Sequence, residues 1–459
     1  MSLSRLDRSE LAAGTEPGWY MDPDGPDFDT RLGQVIADAQ DMAGNGPLPT
    51  AEEREQALSA LSASPNKSWP SPLRAEAFHG IAGDFVRLIE PHTEADPAAL
   101  LVTFLAGFGN AIGAKPHVMI DGAKHGAKIN TVLVGETSSG RKGTAQARSE
   151  SVVRAADESW TACRASNVAS GEVLVWALRD AKGDDPGESE KRMWAVAPEF
   201  AGLLATCKRD GSILSPILRD GWDSDALRHT SKVKPSNATG AHITVIGHIT
   251  PVELRGALTN TEAANGFGNR FLWVCTRRSK SLPRGSLLKN GSLEVLTNRL
   301  RTAIDYAKTI GRLEYDGGFW DVFTARYDEL TSDRPGLFGA VTGRGAPYIH
   351  RLALVYALLD CSPLIERKHA VAAFAVWDYC SASAAHIFGQ RLGNPIADAI
   401  LDALRSEPEG MTRTEISKAF GAGHEKHGPA LSLLRDSALA YPVKLSGTGG
   451  RAAERWYAA

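Results

Sequence analysis

Residues Thr131–Thr144 read TVLVGETSSGRKGT. The run TVLV is β-branched except for Leu133, which suits a buried strand, and Gly135 ends it. A loop of small residues follows, and from Thr144 the sequence TAQARSESVVRAADESW has a helical character. Strand, small-residue loop and helix start, in that order, build a phosphate cradle. Small residues let backbone N–H groups approach phosphate oxygens, and the helix N-terminus adds a favourable dipole. The pattern G-x-x-x-x-G-K-[ST] is met imperfectly. Gly135 and Gly140 are correctly spaced, but Arg141 stands in the lysine position and Lys142, Gly143 and Thr144 come after it. Two registers remain: a loop one residue longer with Lys142 as the phosphate lysine, or Arg141 in its place. A compact ammonium suits the cradle better than a guanidinium fork, which favours Lys142. Thr137, Ser138 and Ser139 would complete the nucleotide-binding loop, with Thr144 holding Mg²⁺. The alternative is an ordinary glycine-rich turn.

Working outward, further strand-length apolar runs appear at 192–198 (RMWAVAP), 242–250 (HITVIGHIT) and 270–275 (RFLWVC), with helix-like sequence between most of them. Near-continuous apolar strands alternating with helices predict a parallel sheet covered on both faces, hence an α/β core over 76–285. The stretch 180–192 (DAKGDDPGESEKR) reads as a solvated loop. Residues 286–392 carry helical spacing, as in GAPYIHRLALVYALLD, and read as a helical extension of the core. Residues 1–75 read as an irregular leader rich in Gly, Pro and Asp, with one short helix at Thr50–Leu61. After Asn394–Pro395, residues 395–459 show three helices and a Gly-rich hairpin, the layout of a winged helix-turn-helix.

Composition sets limits. At roughly 150 residues per domain, 459 residues make about three domains' worth of chain. Lys and Arg number 51 against 54 Asp and Glu, a net charge of −3, so any nucleic-acid contact must come from local patches. The five cysteines lack C-x-x-C spacing, which argues against a zinc site or disulfide framework and for a reduced, cytoplasmic setting. The longest apolar stretch, Ala98–Ala114, is too short for a membrane span and reads as a core helix.

A P-loop ATPase also needs a carboxylate at the end of a neighbouring strand. Glu199 follows the run at 192–198 and would polarise an attacking water; alone, it would read as a glutamate at a helix start. Its usual acidic neighbour is missing, since Ala197 and Pro198 precede it, so Mg²⁺ would rely on Thr144, water and Asp223. His248 and Thr250 lie at the tip of the third run, where a polar group either senses a terminal phosphate or simply faces solvent. Arg270, between a Gly-rich turn and a strand, would contact phosphate in cis or reach a neighbouring subunit's nucleotide. Arg277, Arg278, Lys280 and Arg284 form a local basic cluster compatible with a DNA-facing loop. In the tail, phosphate contacts would come from His424, Lys426, His427 and Arg435, with Lys444, Arg451 and Arg455 on the wing.

The ordered set AFHGIAGDFVRLIEPHTEADPAALLVTFLAGFGNAIG, VLVGETSSGRKGT, APEFAGLLA, LSPILRDGWD, ATGAHITVIGHITPVEL, NGFGNRFLWV and HRLALVYALLD resembles an uncharacterised family of RecA-like P-loop proteins. These occur in phages, plasmids and actinobacterial mobile elements, often behind a primase–polymerase module. The resemblance covers roughly Trp69 to Gly389. It implies a RecA-type ATPase core acting as a helicase-like or replication-initiation motor. On it, Lys142 and Thr144 bind ATP, Glu199 is the catalytic carboxylate, and Arg270 and Arg351 are arginine sensors or fingers. Two departures stand out: residues 1–75 are too short for a primase–polymerase, and Ala197 replaces an expected acid. The expected partners are DNA, single-stranded at the core and duplex at the winged helix, and further copies in a ring or filament, with no membrane. The competing expectation is a nucleotide-switched DNA-binding regulator or loader with little hydrolysis; a small-molecule kinase is a third and weaker one.

Overall fold

Five parallel strands form the central sheet of the computed structural model: β1 (Thr131–Val134), β2 (Arg164–Ser166), β3 (Arg192–Ala197), β4 (His242–Ile249) and β5 (Leu272–Cys275). Their spatial order is β2-β3-β4-β1-β5. The structure describes residues 69–459 except 167, 231–234, 259–264, 286–289, 335, 390, 421–423, 438 and 445–453. The leader helix expected at Thr50–Leu61 lies outside the described residues. All of these residues belong to one unit, Asn66–Ala459.

The sheet is buried on both faces, as the apolar runs require. Leu133, Trp194, Val196, Ile246 and Val274 point into one hydrophobic core. Their neighbours Val132, Met193, Ala195, Val245 and Trp273 point into the other. Period-2 alternation puts successive side chains on opposite faces, so covering both faces demands apolar residues at nearly every position. The first core is built by helices α1 (Gly80–Ile89), α2 (Pro97–Ala111) and α3 (Lys142–Ala156), joined by later helices. Helix α2 takes up most of the apolar stretch 98–114, ending at Ala111: the Asp96 side chain caps it by accepting from the Ala98 amide at 2.9 Å, and Pro97 starts it. The second core includes α4 (Phe200–Cys207), α5 (Leu214–Asp223) and Leu254 of α6 (Pro251–Ala257). Among the described residues, no helix is long and apolar enough to cross a membrane.

Beyond the sheet come α7 (Asn290–Thr309), α8 (Gly345–Leu359) and α9 (Arg367–Phe388), with shorter helices between them. Helices α8 and α9 contribute to the first core through Tyr348, Leu352, Phe374 and Trp377. The last segment has its own core of Ile400, Leu404, Ile416, Leu431, Leu434 and Trp456. There α10 (Pro395–Ser406), β6 (Met411–Thr412), α11 (Arg413–Phe420), α12 (His424–Asp436), β7 (Ala440–Lys444) and β8 (Glu454–Ala458) follow in order. The three strands pair antiparallel as β6-β8-β7.

The sequence reading missed β2 and two antiparallel hairpins, 117–126 and 226–239. The stretch 180–192 is more tied down than a solvated loop. Arg179 pairs with Asp185 at 2.7 Å and Glu188 at 2.8 Å, and Lys191 pairs with Asp180 at 2.9 Å.

Candidate nucleotide site at the carboxyl edge of the sheet

Each parallel strand delivers its following loop to the same edge of the sheet, which is where open α/β folds bind ligands. The loop after β1 turns at Gly135, whose N–H donates to Ile249 O at 3.1 Å. A Cβ at Gly135 would stand 2.2 Å from the Thr276 carbonyl oxygen, so only glycine fits there. Ser138 (φ 58°) and Arg141 (φ 48°) both take the left-handed conformation, which folds the loop back tightly before α3 begins at Lys142. The Gly140 amide donates to Glu136 O at 3.1 Å, closing the turn. Residues 136–139, Gly143 and Thr144 are exposed. A Cβ at Gly143 would meet nothing within 4 Å, so the first turn of α3 faces open space.

The two cations of the ambiguous register point different ways. Lys142 Nζ reaches across the loop to the carbonyls of Gly135 and, at 3.0 Å, Glu136. Burial lowers its pKa, while the charges of Glu136 and Glu253 act in the opposite sense. Arg141 instead pairs with the largely buried Glu94 at 2.5 Å. Glu94 also binds Arg278, so one carboxylate ties the loop's exit to the segment after β5. Its pKa is held down first by the Leu282 amide, at 2.6 Å, and then by these two arginines. Nothing in the sequence pattern pointed to Glu94.

Glu199 immediately precedes α4, beyond the end of β3, and is exposed. Its side chain makes no capping hydrogen bond, so it is not spent on the helix start. Strand β4 lies between β1 and β3, and His248 near its end pairs in register with Leu133. His248 is buried, its Nε2 has no hydrogen-bond partner, and burial, reinforced by the Lys142 charge, lowers its pKa to about 4. The imidazole is therefore neutral near pH 7. Thr250 is not a free polar tip: its hydroxyl caps α6 in a reciprocal box with Glu253.

Other expected site residues lie elsewhere. Arg270 precedes β5 and so sits at the amino edge of the sheet, opposite the loop after β1, and it cannot reach a phosphate held by that loop in the same chain. Asp223 stands there too, paired with Arg270 and with Arg344 at 3.0 Å, so it cannot serve a metal at Thr144. Arg351 is 1% exposed, stacked 3.7 Å over the Trp222 ring and donating to Trp222 O at 2.9 Å and Gly126 O at 3.2 Å. An arginine so enclosed is a core strut and cannot act as a finger towards another subunit.

In the basic cluster after β5, two of the cations are already paired. Arg278 pairs with Glu94 and Lys280 with Glu90, and Arg277 lies 4.9 Å over the Trp69 ring. Arg278 and Lys280, matched by carboxylates, present little net field to a phosphate backbone, whereas Arg277 is exposed. In the tail, His427 is buried against Ser417 Oγ, and Arg455 donates to the carbonyls of Glu409 and Gly410; neither faces outward as expected. Arg435 lies 3.2 Å from Asp436, and Lys444 is exposed at the end of β7. The Lys426 side chain and Arg451 lie outside the described residues.

Comparison with protein-family models and with curated proteins finds no match to this sequence.

Proposed function

We propose that the chain is an ATP-binding and ATP-hydrolysing P-loop protein of RecA-like core, working on DNA as an oligomer. The carrying observation is Lys142. Its ammonium lies inside a glycine-bounded loop at the start of a long helix, held by carbonyl oxygens alone, while Arg141 is occupied elsewhere. Two carbonyls are weak partners for a half-buried cation, and phosphate oxygens would replace them with charge-assisted bonds.

The surrounding residues fit ATP and Mg²⁺. Open space over Gly143 leaves room for phosphate against the helix N-terminus, and the exposed Thr144 hydroxyl would hold the metal. Bound Mg²⁺–ATP supplies the phosphoryl group and neutralises charge on it. Lys142 would bind the phosphates, Glu199 would orient and deprotonate water, and His248 would offer an uncharged ring nitrogen between them. The strand order is compatible with this division of labour: β4 lies between the strand that leads into the loop and the strand that leads to Glu199.

The DNA half of the proposal draws support from the tail, where helix, short strand, two helices and a hairpin follow the order of a winged helix-turn-helix. The placement of Arg270 at the opposite edge supports a head-to-tail assembly, in which one protomer's amino edge meets the next one's nucleotide. Ala197 and Pro198 before Glu199 favour a second reading, a nucleotide-switched DNA regulator or loader with slow turnover.

Steady-state ATP hydrolysis with and without single-stranded DNA tests these. DNA-stimulated turnover that Glu199→Gln abolishes, with ATP binding retained, supports the motor. Tight binding without turnover supports the switch, and absence of binding contradicts both.

A further inference from the structure

The amino edge of the sheet holds an arrangement that the nucleotide reading does not use. Three guanidiniums surround one indole: Arg351, Arg344 and Arg270 lie 3.7, 5.2 and 5.9 Å from the Trp222 ring centre. A single carboxylate, Asp223, serves two of them, taking Arg270 on one oxygen and Arg344 at 3.0 Å on the other. Behind them, the buried Lys128 ammonium donates to Gly221 O at 2.7 Å and Ser224 O at 2.6 Å.

Donors outnumber acceptors here. Arg270 Nε, Arg351 Nε and Trp222 Nε1 are buried and make no hydrogen bond within the protein. Leaving such groups unpaired is costly, typically about 1–3 kcal/mol each. Like charges also crowd one another: burial, and then the Arg270 charge, lowers the pKa of Arg344. The cluster is nevertheless reachable. The Asp223 and Arg344 side chains are 39% and 31% exposed, whereas Arg270 behind them is 9% exposed. Beside Trp222 and Asp223 lies a cavity of about 100 Å³ that Lys124 and Lys128 also line.

We propose that Arg270 and Arg344 form a binding site for a terminal phosphate group, and that the Asp223 carboxylate fills it until a phosphate takes its place. A carboxylate bridging two arginines is the internal equivalent of a phosphate between them: both present anionic oxygens to the planar guanidinium fork. A phosphate offers more acceptor oxygens than the Asp223 carboxylate does. The group is carried by a nucleotide on a second copy or is free phosphate. The first source rests on the proposed nucleotide reading, while the site itself does not.

The test uses the full chain carrying Lys142→Ala, which silences the loop after β1. Calorimetry with inorganic phosphate at constant ionic strength should show weak binding that Asp223→Asn strengthens about tenfold and Arg344→Ala removes. Arg344 is the less buried arginine, so its loss spares the fold; circular dichroism confirms this, and Arg344→Lys should restore binding only in part. Separately, wild-type protein with a non-hydrolysable ATP analogue should self-associate, and Arg344→Ala should prevent it. Phosphate binding without nucleotide-dependent association assigns the site to free phosphate. Absence of phosphate binding in the Asp223→Asn protein, or binding that Arg344→Ala leaves unchanged, overturns the proposal whatever the ATPase result.

Discussion

The two edges of one sheet differ in how their charges are held. At the carboxyl edge the loop 136–139 is exposed, Lys142 rests on carbonyls, Gly143 faces open space and Glu199 makes no cap. At the amino edge, arginines stack on Trp222 and share Asp223, and Arg351 is enclosed by backbone oxygens. The first edge is under-bonded and suited to receive a ligand. At the second, the cations are held by stacking, backbone oxygens and one shared carboxylate, so a ligand there has to displace Asp223. A cation's placement, more than its identity, decides which role it can take.

That contrast can be broken most forcefully at Arg351. Arg351→Ala would leave the carbonyls of Gly126 and Trp222 without their donor and the indole without its partner. It should cost about 3–5 kcal/mol in chemical denaturation. By comparison, Arg141→Ala at the other edge removes a partly exposed guanidinium from Glu94, which keeps Arg278, and should cost under about 1 kcal/mol. Equal losses would erase the distinction between strut and loop.

A histidine at the carboxyl edge sharpens it through pH. The folded-state pKa of His248 is about 4, below the ordinary value near 6.5. Between those values the unfolded chain binds more protons than the native one, so stability rises with pH and falls on acidification. His248→Gln should therefore lose less stability than wild type between pH 6.5 and 4, by on the order of 3 kcal/mol. Parallel curves for the two proteins would show that the ring is hydrated and not buried.

The smaller effects come from glycines. Gly135→Ala drives a Cβ to 2.2 Å from Thr276 O and should cost about 2 kcal/mol. Gly143→Ala meets nothing and should raise helix stability by up to about 1 kcal/mol while weakening nucleotide binding. Thermal melts paired with nucleotide titration distinguish the two; if Gly143→Ala leaves binding intact, phosphate does not lie over the first turn of α3.

Much of the sheet was legible because β1, β3, β4 and β5 are near-continuous apolar runs, a signal that burial on both faces imposes. Strand β2 was not, since Arg164–Ser166 is three residues long and two of them are polar. The choice between Arg141 and Lys142 was open, because spacing alone admits both; what separates them is Glu94, nearly fifty residues upstream. The Asp223–Arg270–Arg344 cluster joins three distant segments, and no local pattern announces such a meeting. Arg351 did carry a signal. It sits inside GAPYIHRLALVYALLD, apolar on nearly every side, and an arginine in such surroundings is more often buried and paired than free.

The central claim is that Lys142 holds phosphate at the carboxyl edge. Equilibrium titration of a fluorescent ATP analogue against wild type, Lys142→Ala and Arg141→Ala tests it most directly. The account predicts binding by wild type, a loss of about 100-fold in Lys142→Ala, near 3 kcal/mol, and a change of less than about threefold in Arg141→Ala. Binding that survives Lys142→Ala but is lost with Arg141→Ala, or no binding by the wild type, would contradict it.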